Sequence, residues 1–344
     1  MSQNDVLLKM EHISKSFPGV KALDDVQLEV KAGTVHALMG ENGAGKSTLM
    51  KCLFGIYHKD EGHIYLNGEE VDFKDSKDAL EHGVAMVHQE LNQALKRNVM
   101  DNMWLGRFPL MDGFPIVSGK KRYEKTMEVF KDLGIEVDPK TIMSEMPVSQ
   151  RQMVEIAKAV SYNSKVIVFD EPTSSLTEVE VEHLFRIIND LRSRGCGIIY
   201  ISHKIDEILG IADDVTIMRD GKIVGDWPAS ELDMDTIVKR MVGREMNNRF
   251  PEKKHVPGEV KMEVRHLTSA NPHSFKDVSF TLHNGEILGI GGLVGAQRTE
   301  LVETIFGLRS KASGEIIIDG QKADIHSPED AISSNMAQLT EERR

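Results

Sequence analysis

Cysteine is scarce in this sequence, which has only Cys52 and Cys196 among its 344 residues. So few cysteines exclude a disulfide-stapled scaffold and are typical of a protein in a reducing compartment. Long apolar runs are also missing, because stretches such as Lys165–Phe169 are far too short to span a bilayer. The first residues show neither a basic region nor an apolar stretch, so we expect no signal peptide.

An excess of basic residues is absent as well. The chain has 42 lysines and arginines against 54 aspartates and glutamates, which gives a net charge of −12. Binding to nucleic acid or to an anionic membrane surface requires a basic patch, so this balance argues against both. We interpret the short basic run Lys120–Arg122 as a solvated helix start. A role at a membrane would therefore require docking on other proteins there.

What the chain does contain is an internal repeat. The glycine pattern of Gly33–Gly40 returns in Gly285–Gly292, and Gly40 and Gly292 are 252 positions apart. Further pairs keep this offset without a gap, among them Asp25 with Asp277, Phe54 with Phe306, Gly62 with Gly314 and Gly68 with Gly320. A repeat of this length indicates a duplicated domain.

The repeat predicts the domain organisation. We expect a first domain over residues 6–250, a linker over 251–259 and the N-terminal part of a second domain over 260–344. With the same offset, Arg344 corresponds to Asn92, so the second copy is partial. The linker is polar and contains two prolines.

Short apolar strands alternate with helical stretches along the first copy. Strands are predicted at Val35–Met39, Val84–Val87, Val166–Phe169 and Ile198–Ile201, and helices at Ser47–Phe54, Gln150–Val160 and Glu178–Arg194. This alternation favours an α/β fold with a mostly parallel sheet flanked by helices. Residues from about 92 to 160 have weak strand signals and are interpreted as a helical insertion.

A glycine-rich loop lies between a predicted strand and a predicted helix, and it matches G-x-x-x-x-G-K-[S/T]. Its nucleotide-binding residues are Gly40, Glu41, Asn42, Gly43, Ala44, Gly45, Lys46, Ser47 and Thr48. Backbone N–H groups of such a loop close around phosphates. Lys46 would reach the β- and γ-phosphates of ATP, and Ser47 would bind Mg²⁺. The alternative is a plain glycine-rich turn.

Two carboxylates end the apolar strand at Val166–Phe169. Adjacent acids at the end of a buried strand are costly unless a cation or a reactive water lies beside them. We assign Asp170 to the metal and Glu171 to the role of general base for the attacking water. The alternative is a strand end with two solvated acids.

Three more residues are candidates for the same site. Gln89 follows the strand Val84–Val87, and its amide could contact Mg²⁺ and the attacking water. His203 follows another strand and could donate to the γ-phosphate, although a lone histidine is more often structural. Phe17 precedes the phosphate loop and could stack on adenine, or it could be a core residue.

The order of these motifs resembles the ATP-binding cassette (ABC) family over the whole first copy and into the second. Four stretches are similar to its tandem monosaccharide-import subfamily, namely Lys15–Leu23, Met86–Leu91, Met100–Gly106 and Asp170–Thr177. The resemblance implies a P-loop NTPase cassette with N-terminal antiparallel strands and a helical insertion. It also implies an ATPase that uses ATP and Mg²⁺ to import a monosaccharide of the galactose/methyl galactoside or ribose type.

The resemblance further implies partners and a location. The chain would lie at the cytoplasmic face of the cell membrane, bound to a permease dimer that a sugar-binding protein serves. The helical insertion and residues Gln89–Arg107 would receive a loop of the permease. Met103 and Trp104 would help to form this contact, or they would be core residues. A second cassette, facing the first, would complete the ATP site.

One family motif departs from its pattern in the first copy. Where the family has L-S-G-G-Q, this chain has Met146–Gln150, which differs at four of five positions. Pro147 replaces the serine and has no N–H to offer, and Ser149 replaces a glycine that permits close backbone approach. We expect this motif to be weak, and Pro147 also to start a helix.

The second phosphate loop departs as well. Gln297 stands in the position of Gly45, and Arg298 in that of Lys46. Two further correspondences are lost, since Ser269 replaces Phe17 and Glu341 replaces Gln89. A planar guanidinium does not substitute simply for a compact ammonium.

These departures predict one consensus and one degenerate ATP site in the full protein. We expect this chain alone to bind MgATP and to hydrolyse it poorly. Two other functions are left open at this stage. One is a non-transport ABC ATPase that acts on ribosomes or DNA, and the other is a regulatory nucleotide-binding fragment.

Overall fold

A computed structural model describes residues 6–243, 256–293 and 295–340 of the chain. Contacts divide the chain into two compact units, residues 1–247 and 248–344. Most of the predicted linker lies outside the described residues. Within the part of the chain that the structure describes, no helix has both the length and the apolar character needed to cross a membrane.

The first unit alternates strands and helices. In chain order they are β1 (Val6–Phe17), β2 (Val20–Lys31), β3 (Val35–Gly40), α1 (Lys46–Leu53), β4 (Glu61–Leu66), β5 (Glu69–Val71), α2 (Ser76–Glu81), β6 (Val84–Val87), α3 (Val99–Met103), α4 (Gly119–Leu133), α5 (Val148–Val160), β7 (Val166–Asp170), α6 (Glu178–Ser193), β8 (Gly197–Ile201), α7 (Ile205–Ile211), β9 (Asp214–Arg219), β10 (Lys222–Pro228) and α8 (Met234–Val242). The four strands and three helices predicted from the sequence are confirmed to within two residues.

A six-stranded sheet forms the centre of this unit, in the order β10-β9-β3-β8-β7-β6. Its strands are parallel except for β10, which pairs antiparallel with β9 at one edge. Every residue of β3, β6, β7 and β8 is buried, which explains why these strands are almost entirely apolar apart from His36 and the terminal Asp170. Since the strands are parallel, the loops that follow them meet at one edge of the sheet.

A second sheet contains the N-terminal strands in the order β2-β1-β4-β5, and all of its pairs are antiparallel. Two backbone hydrogen bonds connect this sheet to the loop after β3 through Gly221, which lies in the turn between β9 and β10. The N–H of Asp24 donates to the carbonyl of Gly221 (2.8 Å), and the N–H of Gly221 donates to the carbonyl of Ala44 (3.1 Å). The expected fold class, with a parallel sheet and N-terminal antiparallel strands, is confirmed.

Helices α3, α4 and α5 lie between β6 and β7 in the chain and form the expected helical insertion. Met103 and Trp104 are buried in the main core, and the Trp104 indole N–H donates to Thr126 Oγ1 (2.9 Å). The structure thus places both residues in the core, and their contact with a permease stays a prediction. The interpretation of the basic run as solvated is wrong for Arg122, which pairs with Asp101 and is only 18% exposed.

The second unit repeats the antiparallel part of the first. It contains β11 (Val260–Ser269), β12 (Val278–His283), α9 (Arg298–Ile305), β13 (Lys311–Ile318), β14 (Gln321–Ala323) and α10 (Pro328–Ser333). Its sheet has the order β12-β11-β13-β14, which matches β2-β1-β4-β5. A small core of its own lies under this sheet and includes Val264, Leu267 and Ile316.

One segment of the second unit differs from its counterpart. Residues 287–292 correspond to β3 but form no strand, and Ile287 and Ile290 are 99% and 41% exposed. The physical reason is the lack of strands to pair with, because β3 is held in the first unit by hydrogen bonds to its neighbours β8 and β9. Among the described residues of the second unit, no strand corresponds to either neighbour.

Candidate functional site

The phosphate loop connects β3 to α1, as the sequence predicts, and it contains all nine predicted binding residues from Gly40 to Thr48. Gly43 and Gly45 have backbone φ angles of 85° and 107°. A Cβ atom at Gly45 would lie 2.8 Å from the carbonyl oxygen of Ala22 and 3.0 Å from Leu23. Only glycine fits there, because both the dihedral angle and the space exclude a side chain.

Lys46 begins α1, and its side chain turns back into the loop. The ammonium donates to the carbonyl oxygens of Gly40 (2.7 Å) and Glu41 (3.1 Å). Burial lowers the pKa of Lys46, whereas the charges of Glu171 and Asp170 raise it. The Lys46 ammonium is thus held within the loop, where the charges of Asp170 and Glu171 act on it.

Asp170, the last residue of β7, is 7% exposed. Burial raises the pKa of its carboxyl, and the charge of Glu171 raises it further. The charge of Lys46 and a hydrogen bond from Ser47 act in the opposite direction. A buried carboxylate beside a hydroxyl is an all-oxygen donor pair, which fits a hard cation such as Mg²⁺.

The raised pKa of Asp170 predicts a stability effect. At neutral pH the ionised carboxylate destabilises the nucleotide-free fold, and this cost shrinks as the pH falls through the pKa of the folded state and is gone below the pKa of the unfolded state. We expect Asp170→Asn to raise the melting temperature by about 2–4 °C at pH 7.5, which corresponds to roughly 1 kcal/mol. The gain should shrink near pH 4.5. Scanning fluorimetry without nucleotide or Mg²⁺ measures both.

The matched control for that variant is Asp206→Asn, which removes the charge of an exposed aspartate. We expect no rise in melting temperature for it. An Asp170→Asn variant that melts at or below the wild-type temperature at pH 7.5 would contradict the assignment of a net destabilising charge at Asp170.

Glu171 follows β7 directly and has a left-handed φ angle of 47°. Its N–H donates to the carbonyl of Ile201 at the end of β8 (2.9 Å). One carboxylate oxygen accepts from Gln89 Nε2 (2.8 Å), and the other lies 3.2 Å from His203 Nδ1. Three adjacent strands, β6, β7 and β8, therefore bring Gln89, Glu171 and His203 together.

Glu171 is 16% exposed, whereas the His203 side chain is 64% exposed. The structural alternative for His203, a buried and satisfied histidine, does not fit this exposure. Both oxygens of Glu171 have a partner in this structure, and each oxygen keeps a lone pair that can accept a proton from water.

Phe17 ends β1 and is half-buried. Its ring contacts Tyr57 edge-to-face at 5.2 Å between centroids, and Lys15 Nζ lies 5.8 Å from the ring centre. The ring is held from one side and is not enclosed by the core, so it retains surface on which a planar base could stack.

Met146–Gln150 lies at the start of α5. Met146 is buried, Pro147 precedes the helix, and the helix begins at Val148 with no side-chain cap. Ser149 hydrogen-bonds to Glu180 of α6. Pro147 therefore does start the helix, and its position offers no N–H to a ligand.

The second phosphate loop differs at the position that corresponds to Gly45. Gln297 has a φ angle of 63°, and its side chain accepts from Ser274 Oγ (2.8 Å) and donates to the carbonyl of Gly295 (3.3 Å). Ser269 is buried and presents no ring. Glu341 lies outside the described residues. Gln297 thus places a side chain at the position where the first loop accepts only glycine.

Sequence reasoning missed Glu207 in α7. This carboxylate accepts hydrogen bonds from groups in the loops after β7 and β8, and the only sequence signal is its position four residues after His203.

Fold and site together define a P-loop ATPase of the cassette type. A family model described as "ABC transporter" matches residues 23–174 and 275–343. The chain belongs to the ABC transporter ATP-binding family, whose cassettes bind and hydrolyse ATP.

Several named proteins are similar to this chain in sequence. The chain is 62% identical over 346 residues to the galactose/methyl galactoside import ATP-binding protein MglA of Clostridium tetani, and it covers 69% of that protein. It is 58% identical over 340 residues to the protein of the same name from Salmonella typhimurium and covers 67% of it. The alignments include 100% and 99% of this chain, so the chain spans about two thirds of the length of these relatives.

Solved structures support the fold. A nucleotide-free ATP-binding cassette from an ABC transporter is 25% identical, with a TM-score of 0.59, and the match covers 70% of this chain and 96% of that one. An ABC transporter cassette in its ADP conformation is also 25% identical with a TM-score of 0.59, and the match covers 70% of this chain and all of the other.

Proposed function

We propose that this chain is the ATP-hydrolysing subunit of an importer of galactose or methyl galactoside. The convergence of Gln89, Glu171 and His203 beside Lys46 is the observation that carries the ATPase part of the proposal. The sugar is supported by the names of relatives that are 57–62% identical.

In the proposed mechanism, the backbone of the phosphate loop and Lys46 bind the phosphates of ATP, and Phe17 stacks on adenine. Ser47, Asp170 and Gln89 would hold Mg²⁺, which supplies charge neutralisation on the phosphates when it is bound. Because Lys46 now donates to two loop carbonyls, it exchanges these bonds for phosphate oxygens when ATP arrives.

Hydrolysis then needs one proton acceptor and one donor. The Glu171 carboxylate takes a proton from the attacking water, and the oxygen of that water forms a bond to the γ-phosphorus. At the same time the bond between the γ-phosphorus and the oxygen of the leaving ADP breaks. His203 donates to the oxygens of the γ-phosphoryl group. Gln89 leaves Glu171 to orient the water.

We propose that a membrane permease dimer binds the chain at the cytoplasmic face of the cell membrane, with a sugar-binding protein on the other side. A groove of about 450 Å³ in the helical insertion is the proposed docking place, within the segment from Gln89 onward. Its lining includes Arg97, Asp101, Leu105, Phe108, Val117 and Arg122. It thus offers both charged and apolar contacts.

The site on this chain is one half of the proposed catalytic unit. A second cassette would complete it from the other side of ATP, and the degenerate Met146–Gln150 segment would face the altered loop around Gln297. We therefore propose one competent and one degenerate ATP site, and poor hydrolysis by this chain alone.

The test is ATP hydrolysis by the assembled transporter in lipid vesicles. We expect galactose-loaded binding protein to raise the hydrolysis rate at least severalfold, and ribose-loaded binding protein to have little effect. Stimulation by another sugar alone would correct the substrate. No stimulation, together with co-purification of the protein with ribosomes, would contradict a role in transport and favour a non-transport ABC ATPase.

A further inference from the structure

Glu207 lies in the first turn of α7, one turn after His203. Its side chain is 10% exposed, which is unusual for a carboxylate. It contacts residues of the two loops that follow β7 and β8.

Four donors surround this carboxylate. One oxygen accepts from the hydroxyls of Thr173 (2.9 Å), Tyr200 (2.9 Å) and Ser202 (3.2 Å). The other oxygen lies 2.9 Å from the ammonium of Lys204. Thr173, Tyr200 and Ser202 are at most 3% exposed, so water does not compete for these bonds.

Two of these donors adjoin the reacting groups. Thr173 is two residues after Glu171, and Ser202 immediately precedes His203. Lys204 strengthens the connection between the two loops. Its side-chain ammonium also lies 3.3 Å from Thr173 Oγ1, and its backbone N–H donates to Ser202 Oγ (3.0 Å). A single carboxylate therefore joins the loop that carries the proposed base to the loop that carries the proposed histidine.

The chemistry of this cluster requires an ionised acid. Three hydroxyls and one ammonium all point donors at Glu207, and a carboxylate has about four lone-pair positions to accept them. An amide of the same size would place an NH₂ donor against another donor. Burial raises the pKa of the Tyr200 phenol, and the charge of Glu207 raises it further. The hydroxyl therefore remains protonated and donates its hydrogen bond to Glu207.

We infer that Glu207 is a positioning residue for hydrolysis, which holds Glu171 and His203 at a fixed separation by binding Thr173 and Ser202 together. It contacts neither nucleotide nor water in the proposed mechanism. Its effect is on the rate of the chemical step, because that step needs the base and the histidine placed together at one phosphoryl group. This inference rests on the ATPase function proposed above.

The test variant is Glu207→Gln in the assembled transporter, because this chain alone is expected to turn over slowly. We expect kcat to fall roughly 10- to 100-fold, the size of effect produced by a displacement of about 1 Å at a reacting group. The dissociation constant for MgATP should stay within about twofold, since the phosphate loop is untouched. Single-turnover hydrolysis and equilibrium binding separate the two quantities.

Two controls distinguish positioning from a general loss of structure. Asp206→Asn removes a charge from the same turn of α7 at an exposed position, and it should leave kcat unchanged. Tyr200→Phe removes one donor to Glu207 that belongs to neither loop, so it should lower the melting temperature and leave kcat within about twofold.

Thr173→Val gives an independent measure, including the case in which Glu207→Gln does not fold. It removes the bond between Glu207 and the loop after β7, and we expect the same loss of kcat. The double variant should lose no more than the larger single loss, because both changes break one connection.

The possible outcomes separate the inference from the function on which it rests. If Glu171→Gln abolishes turnover but Thr173→Val and Glu207→Gln both keep kcat within twofold, the positioning role is wrong and the ATPase function stands. If the two variants raise the dissociation constant for MgATP as much as they lower kcat, Glu207 serves the fold in general. Turnover that survives Glu171→Gln overturns the proposed role of Glu171 as the base, whereas an assembled wild-type transporter that does not hydrolyse ATP overturns the proposed function itself.

Discussion

Glu171→Gln is expected to lower the rate of ATP hydrolysis by about 10²–10⁴-fold, the usual contribution of a general base. The amide has the size of the carboxylate and still reaches Gln89 and His203, which now lie 2.8 Å and 3.2 Å from it. What it loses is the capacity to accept a proton from water. Binding of MgATP should change by less than about threefold, because the phosphate loop and Asp170 are intact.

The measurement is single-turnover hydrolysis in the assembled transporter, with calorimetric titration of MgATP beside it. Glu182→Gln is the matched control, since it makes the same change at an exposed acid of α6 outside the site and should leave the rate unaltered. A Glu171→Gln variant that retains more than a tenth of the wild-type rate would show that another group takes the proton. Robust turnover by this chain alone would contradict the expected need for a second cassette.

The sequence was sufficient to predict the elements of this site one by one. The two acids, the glutamine and the histidine each follow a different predicted strand. In a parallel sheet the ends of such strands lie at one edge, so these residues are expected to lie close together. The phosphate loop was equally predictable, because its glycines and Lys46 have a fixed spacing.

Contacts between these elements could not be predicted. That Glu171 would accept from Gln89 and lie against His203 depends on side-chain directions at the ends of β6, β7 and β8, and sequence spacing does not specify these directions. Glu207 was missed for the same reason, since an acid in the first turn of a helix is ordinary. Only its burial, among four donors, separates it from Asp206 beside it.

The second unit shows another limit of sequence reasoning. Gly285–Gly292 has the glycine pattern of Gly33–Gly40, and the pattern alone predicts the same strand. Yet Ile287 and Ile290 are exposed in a segment without strand structure. A strand forms by pairing with neighbours that are remote in the chain, so a local repeat in sequence does not guarantee a repeat in structure.

The first phosphate loop is expected to be the only competent nucleotide site on this chain, and Gly45→Gln should remove it. Gly45 has a φ angle of 107°, whereas Gln297 at the same position of the second loop has 63°. Glutamine cannot adopt the first angle without strain, and its Cβ would lie 2.8 Å from the carbonyl of Ala22. The loop must therefore change shape, and its N–H groups lose their alignment on the phosphates.

We expect titration of the wild-type chain with MgATP to give one site per chain, and Gly45→Gln to weaken that site by more than about 100-fold. Loss of two hydrogen bonds to a charged phosphate, each contributing about 1.5 kcal/mol or more, accounts for this factor. Lys46→Ala should weaken binding at the same site. Calorimetry reports the stoichiometry and the affinity in one experiment.

The control is Gly113→Gln, which places the same side chain at a φ angle of 75° with no atom within 4 Å of the new Cβ. It imposes a left-handed glutamine outside the phosphate loop, so MgATP binding should be unchanged. Two sites in the wild-type chain would mean that Gln297 and Arg298 do not disable the second loop. Normal binding by Gly45→Gln would mean that the phosphate loop tolerates the shape seen at Gln297, and the difference between the two loops would then have to come from Arg298.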